Sequence, residues 1–499
     1  MIYGFSPIGV IGRLVRVEVD IRRGLPGTDI VGLPSSEVRE ARERVRIAIR
    51  NSGFVYPAER ILINLSPAEI PKVGAGFDLP IALAILNASE QIDLPEPFLA
   101  VGELSIRGDA IPVRGTLSAV LAGQEHSVGP VVIPERSLRF LSGIEIGAEV
   151  IRTIHDLKTL RTNGLAQAAL PPGRVRPTGA APSFDDMEGQ RSIKWASTLA
   201  AAGFHNLLLM GPPGSGKTMA ARRLVSLLPD LSSRATREVA RIYSMRGIDG
   251  THPGRRPPVR MPHHSASMEG VLGGGRNTLP GEVSLAHNGI LILDEAPEFR
   301  PQVLQALREP VEARHITISR AGRGEDFPTR FQLVLTSNLC PCGKMGQEGE
   351  VCMCSAQEVA RYWRRLGAAL LDRVDLRVRS YYYRSKRSDG GYRFSMTQEE
   401  MKDRVAAAHA RQRARGAKDG IVLNGLVPPE EINDRIPLSR NLIAFLQTRM
   451  HQLKLSDRAA ASVRCVARTI ADVEDREHIE ATDILEAAKI RALGPDSLE

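Results

Sequence analysis

Three stretches of this chain carry residue types whose spacing could do chemistry on a phosphate. The octapeptide Gly211-Pro212-Pro213-Gly214-Ser215-Gly216-Lys217-Thr218 fits GxxxxGK[ST]. It follows the apolar run Leu207-Leu208-Leu209-Met210 and precedes a helical stripe of Ala220, Leu224, Leu227 and Leu228 closed by Pro229, the strand, loop and helix setting that such a loop needs. Gly211, Gly214 and Gly216 let main-chain N–H groups around Ser215 turn toward phosphate oxygens. Lys217 reaches the terminal phosphates, and the Thr218 hydroxyl offers an oxygen to Mg2+ at a helix N-terminus. The second stretch, Ile290-Leu291-Ile292-Leu293-Asp294-Glu295, is a buried run ending in two carboxylates. Burial forces such a strand to deliver its charges at its carboxyl end, where an open α/β sheet binds ligands. Asp294 suits a role on Mg2+, and Glu295 suits orienting and deprotonating a water that attacks the γ-phosphate. The third, Leu333-Val334-Leu335-Thr336-Ser337-Asn338, brings an amide to the same edge, where Asn338 could hydrogen-bond that water. The chemistry is cleavage of a nucleoside triphosphate, with ATP and Mg2+ as the expected ligands.

A different chemistry follows just downstream. Of five cysteines, Cys340, Cys342, Cys352 and Cys354 lie close together and Cys465 is remote, which is a cluster and not a dispersed disulfide framework. Two Cys-x-Cys pairs enclose a glycine-containing loop, Gly343 to Val351, that can reverse the chain. Four thiolates converging on one centre suit Zn2+, whose binding would fold this knuckle. The one-residue gap departs from the commoner two-residue spacing, and four buried thiols are the alternative.

These residues need elements to hold them. Within the 499 residues, the first 168 alternate strand and helix signals. Val15, Val17 and Val19 share one face of a strand, Ile61-Leu62-Ile63 and Val131-Val132-Ile133 read as buried strands, and Val38, Ala41, Val45, Ala48 and Ile49 fall at helical spacing between Glu37 and Arg50. A Pro- and Gly-rich connector covers 169–184, the phosphate-binding unit spans 185–385, and 386–499 reads as a helical bundle built from Thr397-Arg415, Ser439-Lys454, Ser456-Asp472 and Thr482-Leu493. Ser385 to Gly390 reads as a second hinge. Lys and Arg number 66 against 57 Asp and Glu, a net charge of +9 that favours a polyanionic partner. Only 4% of the chain is aromatic, which argues against recognition dominated by base stacking. No apolar run reaches the roughly 18 residues of a membrane span, and the N-terminus lacks a secretory pattern, so no membrane partner and a cytoplasmic location are expected.

The whole constellation resembles an AAA+ ATPase. More narrowly, Met261-Pro262-His263-His264-Ser265-Ala266-Ser267, Gly273-Gly274-Gly275, Pro280-Gly281-Glu282-Val283-Ser284-Leu285-Ala286-His287-Asn288-Gly289, Val31-Gly32-Leu33-Pro34 and the cysteine cluster are similar to the ComM/YifB branch of the magnesium-chelatase-like family. The resemblance implies an α/β AAA+ P-loop core with a helical lid, preceded by an α+β domain like that of Lon proteases and ribosomal protein S5. It implies a homo-oligomeric ring, a hexamer, whose subunits share sites. Arg373, in Leu370-Leu371-Asp372-Arg373-Val374-Asp375-Leu376, matches the arginine-finger position, with an ion pair to Asp372 or Asp375 as the alternative. Arg458 opens a lid helix and matches the sensor-2 arginine, with Arg464 and Arg468 on the same helix. A hairpin over Ile316 to Pro328 would face the ring pore with Arg320 and Arg323, accompanied by Arg276, with a solvated hairpin tip as the alternative. The implied activity is an ATP-driven motor on single-stranded or branched DNA, similar to the helicases of this branch that drive branch migration in recombination or natural transformation. A magnesium-chelatase motor subunit and a protein-remodelling Lon-like protein are the rivals.

Two further patterns bear on function. In the turn Gly74-Ala75-Gly76-Phe77-Asp78 no serine stands where a Ser-Lys dyad would need one to pair with Lys72, so no peptidase activity is expected. Arg39, Arg42, Arg46 and Arg50 stripe one helical face that could track phosphates, but Glu40 and Glu43 lie beside it and a solvated face is the plainer reading.

Overall fold

The computed structural model describes residues 1–94, 97–147, 151–168, 183–248, 254–275, 278–320, 323–347, 349–381, 396–416 and 423–493. Most of the 169–184 connector, the Ser385 to Gly390 hinge and Arg276 lie outside the described residues.

The N-terminal part is built on an eight-stranded mixed sheet, with Ile2–Ser6, Arg13–Arg22 and Arg60–Ser66 antiparallel at its centre and Gly27–Val31 at one edge. The helix Ser36–Asn51 forms because Ser35 caps it, accepting from the Val38 N–H, and because Val38, Ala41, Val45, Ala48 and Ile49 make one buried stripe. It packs with the largely apolar helix Asp78–Ala88 on the face that carries Val15, Val17, Ile61 and Ile63. Leu62, expected in a buried strand with its neighbours, is 37% exposed. Alternate strand residues point to opposite faces, and Leu62 shares the outer one with Arg16, Glu18 and Arg60. Lower in the sheet, Leu99, Val131 and Ile133 pack instead on the helix Thr116–Glu125 and, from the next part of the chain, on Ala240 and Met245. The helix Ser233–Arg246 is thereby the seat of the N-terminal part, pinned by an Arg241 to Glu125 ion pair of 2.6 Å.

The second sheet has five parallel strands in the order Val259–Arg260, Ile290–Leu293, Gln332–Ser337, Leu207–Met210 and Leu376–Arg379. Its inner strands are buried throughout because both faces are covered. The phosphate loop therefore leaves a central strand, between the strand that ends at Asn338 and the edge strand 376–379. The hairpin His315–Arg320 and Arg323–Pro328 pairs antiparallel, with Arg320 opposite Arg323.

Four longer helices make the C-terminal bundle: Gln398–Arg415, Arg440–Gln452, Asp457–Val473 and Ala481–Ala492. Thr397, Ser439 and Ser456 cap the first three. The bundle packs Met401, Val405, Val463, Val466 and Ile470 against Ile193 and Leu199 of the helix Arg191–Gly203, in one apolar cluster with the sheet face beneath. Among the described residues no helix is long and apolar enough to cross a membrane.

Candidate functional site

The phosphate loop closes on itself through its lysine. Gly214 and Gly216 have φ of 75° and 84°, left-handed values that side chains with a Cβ adopt at a cost, and they turn the loop between strand and helix. The Lys217 Nζ sits inside this turn, donating to the carbonyls of Gly211 (2.8 Å) and Pro212 (2.7 Å) and to Asn338 Oδ1 (3.2 Å). Burial lowers its pKa to about 8, against the opposing pull of Asp294 and Glu295. A buried ammonium satisfied by neutral oxygens is one that an anion would stabilise further. The Thr218 hydroxyl donates to Asp294 Oδ1 at 2.7 Å, so the expected magnesium ligands are already side by side. Hard oxygen donors at a helix N-terminus beside a phosphate cradle fit Mg2+.

Glu295 stands exposed at the carboxyl end of its strand with φ 51° and ψ 51°, an unfavourable conformation for a residue with a Cβ. Its N–H donates to Thr336 Oγ1 (2.9 Å), and the Thr336 hydroxyl in turn donates to Asp294 Oδ1 (2.7 Å). Thr336 thus ties both acidic residues to the strand that ends at Asn338. The sequence shows it only as part of that strand's polar end, because its two acidic partners lie 41 and 42 residues away. Ser380 was missed altogether: it caps the edge strand, bonding Ser215 Oγ at 2.6 Å and donating to the Met210 carbonyl at 3.0 Å.

The structure brings Lys217, Thr218, Asp294, Glu295 and Asn338 to one sheet edge. Arg373 and Arg458 form a second group. Arg373 pairs neither with Asp372 nor with Asp375, the two partners its sequence neighbourhood offered; its Nη2 pairs with Glu312, and its Nη1 donates to the Ala369 carbonyl at 2.7 Å. Arg458 Nη1 bonds the other oxygen of Glu312 at 2.7 Å. Asp372 is taken by Arg491 (2.9 Å), and Asp375 accepts from the Asn206 N–H (3.0 Å) and Ser462 (2.6 Å). Arg464 and Arg468 are buried within the bundle, bonded to the carbonyls of Ile436, Glu477 and Arg476.

The four cysteines of the knuckle converge: their sulfur atoms all lie within 4.8 Å of one another. Cys340 to Cys342 is 3.3 Å, and Cys352 lies 3.6 Å from each of them. A tetrahedral zinc with Zn–S near 2.3 Å sets its sulfurs about 3.8 Å apart, so the donor set fits Zn2+. The Lys344 N–H and the neighbouring thiols hold the Cys342 thiol down at about 7, whereas burial pushes Cys340 up. The knuckle lies against the phosphate loop, since a Cβ on Gly343 would meet Pro213 at 3.0 Å.

Lys72 is fully buried and donates to the Pro67 carbonyl, not to a serine. Arg42 and Arg46 pair with Glu43 on an exposed face. His263 and His264 are exposed, with rings 4.1 Å apart, and His263 bonds Ser265.

A parallel sheet with the phosphate loop on a central strand, an acidic pair on the next strand but one, a polar amide between them and a helical bundle behind define an AAA+ ATPase. Three family models match along its length: subunit ChlI of Mg-chelatase over residues 17–137, magnesium chelatase subunit ChlI over 183–387 and its C-terminal region over 395–491. The competence protein ComM of Haemophilus influenzae is 37% identical over 503 residues, covering 99% of this chain and 97% of that protein. The protein designated YifB of Salmonella typhimurium is 39% identical over 499 residues, covering 98% and 96%. A Lon protease of Chloroflexus aurantiacus is 25% identical over 181 residues, covering 35% of this chain and 22% of the protease. The chain belongs to the magnesium-chelatase-like AAA+ family, in its ComM/YifB branch. Membership implies ATP and Mg2+ as ligands and an ATPase motor.

Proposed function

We propose that this motor is a ring that works on DNA, as a helicase or translocase in recombination or natural transformation. The observation that carries this reading is the position of the basic hairpin. Its strands, His315–Arg320 and Arg323–Pro328, lie in the chain between the strand that ends at Asp294 and Glu295 and the strand that ends at Asn338. A shift of Asp294 or Asn338 on hydrolysis would reach, along the same chain, the hairpin end at which Arg320 pairs with Arg323. Phosphate contacts from such a turn are sequence-tolerant, in keeping with the net charge of +9. The full-length relation to a protein named for competence gives the reading further support.

In the proposed cycle Lys217 leaves the carbonyls of Gly211 and Pro212 for the β- and γ-phosphates of ATP. Thr218 and Asp294 hold Mg2+, which when bound offsets charge on the phosphate oxygens. Glu295 orients the attacking water and accepts its proton, and Asn338 reports the γ-phosphate through its bond to Lys217. Arg373 of a neighbouring protomer meets the charge that develops on the γ-phosphate. In the same reading Cys340, Cys342, Cys352 and Cys354 hold Zn2+ as a structural brace beside the loop.

Steady-state ATP turnover with single-stranded, forked or four-way DNA, with an unfolded protein, and with a porphyrin-binding partner subunit separates the readings. DNA is expected to raise turnover several-fold in a salt-sensitive manner, and the Arg320→Ala/Arg323→Ala variant to lose that increment. Stimulation by the porphyrin-binding partner or the unfolded protein, with none by DNA, contradicts the reading.

A further inference from the structure

Glu312 occupies a place that no motif accounts for. It lies near the end of the short helix Arg308–Ala313, half-exposed, and each of its carboxylate oxygens takes a different arginine. Arg373 comes from the segment before the strand Leu376–Arg379, and Arg458 from the first turn of the lid helix Asp457–Val473. The three residues belong to three elements, 61 and 146 positions apart in the chain.

Two guanidinium groups drawn to one carboxylate would repel each other without it. With it they stand side by side and keep a net charge of +1, because two cations share one anion. Arg373 is fixed further by its bond to the Ala369 carbonyl, while its Nε is buried without a partner. Beside this triad, Asp372 accepts from Ser456 at 3.2 Å and from Arg491 at 2.9 Å, so the lid is latched to the core at the same point. The phosphate loop's own lysine takes no part: its bonds run to Gly211, Pro212 and Asn338.

We propose that Glu312 is a positioning residue that gathers Arg373 and Arg458 into a single cationic clamp, and that this clamp serves the phosphates bound by the adjoining copy of the chain. The proposal rests on the reading above, in which Arg373 completes a neighbour's site. Glu312 does not touch nucleotide. It sets the spacing of the two guanidinium groups that do, and it makes that spacing depend on the lid, because Arg458 moves with the lid helix. A swing of the lid pulls one arm of the clamp from the carboxylate and loosens the other.

Mixing of full-length variants tests this. Glu312→Gln keeps the shape and removes the charge; turnover per protomer is expected to fall about tenfold or more, with KM for ATP within about twofold because the phosphate loop of the same protomer is intact. Mixed with Lys217→Ala protein, itself inactive, the Glu312→Gln protein is expected to regain turnover, since its phosphate loops then meet neighbours whose clamp is whole. Glu312→Asp, which keeps the charge, is expected to retain a substantial part of the turnover alone, and Glu312→Ala gives the mixing test should Glu312→Gln fold poorly. Wild-type turnover by Glu312→Gln overturns the proposal. So does failure of Lys217→Ala to rescue Glu312→Gln when it does rescue Arg373→Ala, for Glu312 then acts within its own protomer. If Arg373→Ala is not rescued either, the shared site itself is refuted, and the clamp with it.

Discussion

Lys217 shows how a single side chain can be poised for a ligand. Its ammonium is buried and bonded only to neutral oxygens, and burial is the larger cause of its lowered pKa, near 8. The sign of the consequence is fixed. Below that value the free protein carries the charge that meets phosphate, and above it the charge is lost. The apparent kcat/KM for ATP should therefore fall as pH rises through about 8, while the alkaline limb of kcat lies higher because bound phosphate holds the proton. A pH-rate profile checks this; a kcat/KM that stays level to about pH 9.5 contradicts it. Lys217, Asp294 and Asn338 were legible in the sequence because each ends a local pattern of strand, loop or helix. Glu312 was not, because its meaning depends on Arg373 and Arg458, which the fold brings to it from 61 and 146 residues away. Thr336 lies between these cases: its place at a strand end could be read, but not its hold on both Asp294 and the Glu295 backbone.

At the scale of elements, caps and apolar stripes were the reliable signals. The helices headed by Thr397, Ser439 and Ser456 begin where those hydroxyls accept from N–H groups in the first turn. The contiguous apolar run Ile61-Leu62-Ile63 reads as a buried strand, yet the outer face of the strand Arg60–Ser66 is open and Leu62 sits on it. Whether a sheet is covered on one side or two is decided by elements distant in sequence. The cysteine knuckle, by contrast, is a local device, and its four sulfurs meet as the spacing suggested. Elemental analysis of the full chain should find about one zinc per protomer. Cys352→Ser/Cys354→Ser should lose the metal and lower Tm by roughly 5 °C. An unchanged metal content in that variant contradicts the assignment. Because the knuckle abuts Pro213, its loss is also expected to weaken ATP binding.

For the whole molecule, two features join the parts. The N-terminal sheet is seated on the helix Ser233–Arg246, and the lid bundle shares one apolar cluster with the helix Arg191–Gly203. The phosphate site lies at the carboxyl edge of the sheet and, in the proposed ring, faces a neighbouring protomer, so a change at the γ-phosphate has rigid elements to act through. Larger motions, and the work proposed for them on DNA, draw on one event at that site, the attack of water on the γ-phosphate beside Glu295. The most direct measurement is ATP turnover by Glu295→Gln alongside its equilibrium binding of ATP. Removing the base while leaving the loop intact should lower kcat by about a hundredfold or more with binding preserved. Turnover equal to that of the unaltered protein would show that hydrolysis does not occur at this site.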